Sequence, residues 1–101
     1  MSDIIRVRRG YADTAFGQIH YYDTATPNAP ALLLLHQSPQ AGTMFEAALP
    51  VLGQHFRTVA LDTLGYGMSD KPDRVLEPED YAQSVIDVAD ALGIETFSLG
   101  G

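Results

Sequence analysis

Two short runs carry residue types that could do chemistry, and each directly follows an apolar stretch. The first is Leu35-His36-Gln37-Ser38-Pro39, at the end of Ala31-Leu-Leu-Leu-Leu35. A turn at the C-terminal end of a buried strand can aim backbone N–H groups at an oxygen that becomes negative in a transition state, and one such donor is worth about 2.7–4 kcal/mol. The plainer reading is an ordinary strand-to-helix turn with Ser38 as helix N-cap. The second run, Asp62-Thr-Leu-Gly65-Tyr-Gly67-Met-Ser69-Asp70-Lys-Pro72, follows Phe56-Arg-Thr-Val-Ala-Leu61. Two glycines two positions apart suggest a phosphate loop. The third glycine of a dinucleotide fingerprint is missing, however, and no Gly-Lys-Ser/Thr follows. The run therefore does not read as a nucleotide site.

The elements that must position these runs follow from periodicity. Ile5-Arg-Val-Arg-Arg9 and Gln18-Ile-His-Tyr-Tyr22 alternate, each as a strand with one wet face, and Asp13, Thr14 and Gly17 between them predict an antiparallel hairpin. Thr26 to Pro30 is a turn. Ala31 to Leu35 is apolar on successive residues, as a strand covered on both faces in a parallel sheet must be. A helix is expected over Ala41 to Gly53, with Met44, Ala47, Ala48 and Val51 at helical spacing, Pro50 disturbing its last turn and Gly53 closing it. Phe56 to Asp62 is a second central strand, and Thr63 to Leu76 a loop. Pro78 opens a second helix whose Tyr81, Val85, Val88, Ala89 and Leu92 step by three and four, with Gly93 after it. Ile94 to Leu99 begins another strand. The fold class is thus α/β, an antiparallel hairpin followed by parallel strands with right-handed crossover helices.

Composition narrows the functions available. The chain has 101 residues, 46% hydrophobic and 19% charged, which makes one domain or part of a larger one. It has no cysteine, so disulfides, thiolate zinc sites and cysteine nucleophiles are excluded. A net charge of −7 repels phosphate backbones, so nucleic acid is not an expected partner. The nine acids from Asp62 to Glu95, against Lys71 and Arg74, read as a solvated face. The longest apolar stretch, Ala31 to Leu35, is far below the roughly 20 residues of a membrane helix. The N-terminus mixes acid and base without a long apolar core, so a cytoplasmic protein without a membrane segment is expected.

Taken together, the motifs resemble a family. The strand ending in His36-Gln37-Ser38-Pro39 resembles the His-Gly-X-Pro turn of α/β-hydrolase-fold enzymes. Asp62-Thr-Leu-Gly65-Tyr-Gly67-Met-Ser69-Asp70, 26 positions after His36, resembles that family's Asp-X-X-Gly-X-Gly-X-Ser-Asp loop. The helix with Asp87, Ala91 and Leu92-Gly-Ile94 is similar to the segment that leads into the nucleophile strand. The resemblance runs from Ile5 onward and is nearest the esterase, epoxide-hydrolase and haloalkane-dehalogenase branches. It implies an incomplete sheet, residues 1–101 forming the N-terminal portion of one domain. It also implies that the Ser38 backbone N–H, with Gln37 the runner-up, serves the oxyanion hole. Gln37 departs from the pattern, which has glycine there. His36, Pro39, Asp62, Gly65, Gly67, Ser69 and Asp70 would shape loops. No metal or organic cofactor is implied.

The family's nucleophile sits in a small-X-nucleophile-X-small elbow after the next strand. Thr96-Phe-Ser98-Leu-Gly100 formally fits it with Ser98 as nucleophile. Alternatively the strand continues to Gly100, Gly101 is the small residue that opens the elbow, and the nucleophile lies two positions beyond it. An elbow at Ser98 leaves only Ile94 to Phe97 as strand, about 13 Å at roughly 3.3 Å per residue, so the second register is favoured, with Leu99 inside the sheet. Under either, His20, His36 and His55 read as structural or surface residues, and no base is at hand. The expected function is the N-terminal segment of a hydrolase whose parent cleaves a small-molecule ester or related bond through a nucleophile–His–acid triad beyond the chain end. The alternative is a non-catalytic binding or association module. The last strand is expected to be an apolar edge through which the chain self-associates.

Overall fold

A computed structural model describes residues 6–35 and 47–100. Its elements are β1 (Arg8–Thr14), β2 (Gly17–Asp23), β3 (Ala31–Leu35), α1 (Leu49–Leu52), β4 (Arg57–Leu61), α2 (Pro78–Ala91) and β5 (Phe97–Gly100). The strands form one mixed sheet in the order β1-β2-β4-β3-β5. β1 pairs antiparallel with β2, and β2 antiparallel with β4, while β3 runs parallel to both β4 and β5. This is the α/β plan expected from periodicity.

The hairpin turns at Ala15-Phe16, between the paired Thr14 and Gly17. The Thr14 hydroxyl closes it, donating to the Gly17 carbonyl at 2.6 Å and accepting from the Phe16 N–H at 3.1 Å. Gly17 has φ +126°, a conformation glycine adopts without steric cost. Ile5 lies outside the described residues; Arg6 and Val7, expected in the first strand, precede β1, which starts at Arg8 and continues to the turn because its register with β2 is unbroken.

β3 lies between β4 and β5, and Leu33 is wholly buried. Its alternate side chains feed two cores. On one face Leu33, Val59, Leu61 and Ile19 pack with Val88 and Ala89 of α2; on the other, Leu34, Ala60 and Tyr22 pack with Leu49 of α1. Of the first expected helix, the described part is the single turn Leu49–Leu52, and Pro50 stands at its start, where a missing N–H costs nothing.

α2 begins with a capping box. The Glu77 and Asp80 side chains each bond the other's backbone N–H, and Pro78 occupies the first turn. It ends in a Schellman turn: the Ile94 N–H donates to the Ala89 carbonyl at 2.8 Å and the Gly93 N–H to the Asp90 carbonyl at 3.1 Å, with Gly93 at φ +71°. Ile94 is therefore not the first residue of the last strand, as expected from its apolar character. It is buried beneath the helix end, and β5 starts three residues later. Leu99, expected inside the sheet, is 59% exposed, because β5 is an edge strand that pairs with β3 alone. No helix among the described residues is long and apolar enough to cross a membrane.

Candidate functional site at the strand ends

Leu35 and Leu61 are register partners at the C-terminal ends of β3 and β4. The strand ends that precede the two motif runs therefore lie side by side, at the end where α/β sheets place ligands. His36, Gln37, Ser38 and Pro39 lie outside the described residues. The second run is fully described, and its geometry gives each motif residue a task.

Asp62 is the first residue after β4 and is 1% exposed. Its Oδ2 stands 3.0 Å from Nδ1 of His20, itself 2% exposed in the middle of β2, and accepts the Met68 N–H at 3.0 Å. The loop thus folds back so that its far side caps the carboxylate that begins it. Gly65 and Gly67 make that reversal, with φ +91° and +54°. Space is not the reason at Gly65, since a Cβ there would meet nothing within 4 Å; the backbone angle is.

Ser69 fills a gap in the ladder. Tyr21 pairs with Leu61, so the next rung is His20 opposite Asp62. One bond of that rung is direct, the Asp62 N–H donating to the His20 carbonyl at 2.9 Å. The return bond is split: the His20 N–H donates to Ser69 Oγ at 2.8 Å, and the Ser69 hydroxyl donates to the Asp62 carbonyl. Asp70 continues the attachment to β2. Its N–H donates to the Gln18 carbonyl at 2.9 Å, its Oδ2 accepts the Gln18 N–H at 2.8 Å, and its carbonyl accepts the Gly65 N–H at 2.8 Å. Gly17 is tight against it, since a Cβ there would come within 3.0 Å of the Asp70 Cβ.

The loop is therefore a rigid, strand-anchored wall. The Asp62 carboxylate is engaged by His20 of β2 and by the Met68 N–H of its own loop. His20 is the residue that sequence reasoning placed only as structural or surface; its pairing with Asp62 follows from the β2–β4 register. The Arg9 Nε donates to His20 Nε2 at 3.3 Å, and the Tyr11 and Tyr22 rings meet the imidazole edge-on at 5.2 and 4.9 Å.

Ser98 lies within β5, opposite Leu32, and is exposed. Its neighbours Phe97 and Leu99, but not Ser98 itself, line an apolar cavity of about 500 Å³ between α2 and the sheet, together with Leu35, Leu61, Tyr81 and Val85 among others. Among the described residues no group of three His, Asp or Glu side chains is placed to hold a metal ion. At the other end of the sheet Arg57 bonds both Asp23 oxygens, at 2.9 and 3.3 Å, and the Leu92 carbonyl at 3.2 Å. The hydrogen bond to Asp23, with that carboxylate's charge, holds the guanidinium above its usual value against the opposing effect of burial.

Known proteins are similar to this chain in sequence and fold. The chain is 34% identical over 92 residues to a carboxylesterase of Bacillus subtilis, a match covering 90% of this chain and 31% of that protein. It is 31% identical over 86 residues to haloalkane dehalogenase 2 of Mycobacterium tuberculosis, covering 84% of this chain and 29% of the relative. An epoxide hydrolase from an endophytic Streptomyces has the same fold over 92% of this chain and 28% of its own, with TM-score 0.86 and 30% identity. No protein-family model matches the sequence. The chain spans about a third of the length of the curated relatives it matches.

Proposed function

We propose that this chain, whose sheet is the N-terminal part of an α/β-hydrolase fold and whose relatives are carboxylesterases, haloalkane dehalogenases and epoxide hydrolases, is the N-terminal segment of a cytoplasmic hydrolase acting on a small-molecule ester or related bond. The reading is carried by one observation: β3 and β4 end in register at Leu35 and Leu61, the residues that the His36–Pro39 and Asp62–Asp70 runs follow in the sequence. In this reading the Ser38 backbone N–H donates to the oxyanion of the reacting acyl group, with Gln37 beside it. The nucleophile, histidine and acid follow Gly101 in the parent, which needs no cofactor. The anchored Asp62–Asp70 loop supplies a fixed wall rather than a reacting group.

The test is hydrolysis of p-nitrophenyl acetate, a bromoalkane and an epoxide by the protein encoded by the full natural reading frame. Turnover of one class is expected. Replacing Ser38 by Pro, which removes the N–H, should lower kcat by about 10²–10³ with little change in KM, as loss of an oxyanion donor does. No turnover of any class, or a Ser38→Pro variant as active as the parent, would overturn the proposal.

A further inference from the structure

We infer that His20 is a positioning residue: a neutral imidazole protonated on Nδ1 that ties β2 to Asp62 and so fixes the loop bordering the strand-end site. The inference rests on the hydrolase reading only for what the loop borders; the tie itself is a matter of geometry.

The tautomer follows from the two neighbours. Arginine's Nε–H is always a donor and never an acceptor. Arg9 Nε is directed at His20 Nε2 at 3.3 Å, so that nitrogen carries the lone pair. The ring proton must then sit on Nδ1, where the Asp62 Oδ2 accepts it at 3.0 Å. A doubly protonated ring would set an N–H against the Arg9 N–H and place two positive charges side by side. In the neutral form, the Arg9 cation and the Asp62 carboxylate are joined through an uncharged ring, and both ring nitrogens are satisfied. The ring is enclosed, 2% exposed, with Tyr11 and Tyr22 set edge-on against it.

The tie acts at a point of leverage. Asp62 is where β4 becomes loop, and the next residue, Thr63, lines the cavity of about 500 Å³ beside α2. The same Asp62 oxygen that receives the His20 proton also holds the Met68 N–H at 3.0 Å, six residues on. Rotating that carboxylate would break the His20 and Met68 bonds together.

The test is NMR on the 101-residue chain with labelled histidine. Long-range proton–nitrogen correlations should show His20 with Nδ1 protonated and Nε2 bare at neutral pH. The opposite tautomer, or protons on both nitrogens, would overturn the inference, and this reading needs no variant and no turnover. Two substitutions extend it. His20→Asn keeps a donor where Nδ1 stands, whereas His20→Gln places its amide where Nε2 stands. The Met68 amide should exchange with solvent about tenfold faster in His20→Gln and near the parent rate in His20→Asn, with Leu33 in β3 unchanged in both. Equal acceleration in the two variants would show a residue that merely fills space and would overturn the positioning role. Should the parent enzyme prove not to be a hydrolase, the tautomer and the exchange pattern would be unaffected, so the two failures are distinguishable.

Discussion

Replacing Ser69 by alanine isolates the rung that a hydroxyl completes between β2 and β4. The side chain is 4% exposed and holds two backbone groups at once, accepting from the His20 N–H at 2.8 Å and donating to the Asp62 carbonyl. Alanine leaves both without that partner in a buried place. Each buried group left unsatisfied costs about 1–3 kcal/mol, so the pair costs about 2–4 kcal/mol if the strands close up enough to recover part of the loss. For a domain of this size about 2 kcal/mol corresponds to a fall in Tm of roughly 8–16 °C. Urea titration followed by far-ultraviolet circular dichroism is the direct assay, and the slope m should not change, since the surface exposed on unfolding is the same. A shift within about 0.5 kcal/mol of the parent, the range of an ordinary surface substitution, would refute the bridging role.

Other substitutions test other parts of the framework. Gly17→Ala forces φ +126° on a side chain and drives its Cβ onto Asp70, so it should destabilise by about 1–3 kcal/mol in the same titration. Leu33→Ala empties a fully buried position in the core beneath α2, on a strand flanked by β4 and β5, and should cost about 2–5 kcal/mol. Arg57→Met breaks the tie to Asp23 and to the end of α2, but the pair is partly solvated, so the loss should be only about 1 kcal/mol. Because Arg57 is held above its usual value, its contribution is complete at neutral pH and is lost only as pH rises past that raised value. The open β5 edge, with Leu99 59% exposed, should give concentration-dependent association in sedimentation velocity that Leu99→Lys suppresses; a monodisperse monomer at every concentration would refute it.

The strands buried on both faces were the most legible elements, because Ala31–Leu35 and Thr58–Leu61 have no polar side that would blur their pattern beyond a single threonine. α2 was equally plain, since Pro78 and Gly93 mark its ends and its apolar positions recur at helical spacing. The start of β5 was misjudged for a physical reason. Ile94 is apolar because a Schellman turn tucks the second residue after the helix beneath its last turn, a use of hydrophobicity that strand periodicity does not separate from a strand. Leu99 misled for the opposite reason, its apolar character standing on an edge strand.

At the site, the Gly65–Asp70 run was legible as a loop. The bonds that make it rigid were not. His20 and Asp62 are 42 residues apart and meet only because β2 and β4 pair in one register, which no local pattern in either strand announces. Ser69 was visible as a motif residue, yet its insertion into the ladder depends on the same register. The His36–Pro39 run lies outside the described residues, and its part in the proposed chemistry rests on the motif and on the strand end that precedes it.

The most direct measurement is p-nitrophenyl acetate hydrolysis by the purified 101-residue chain beside its Ser98→Ala variant. Ser98 stands inside β5 opposite Leu32, while His20 is engaged by Arg9 and Asp62, and His55 follows α1. The expected result is no turnover above buffer in either protein. Turnover that Ser98→Ala abolishes would make Ser98 the nucleophile and contradict a triad that follows Gly101.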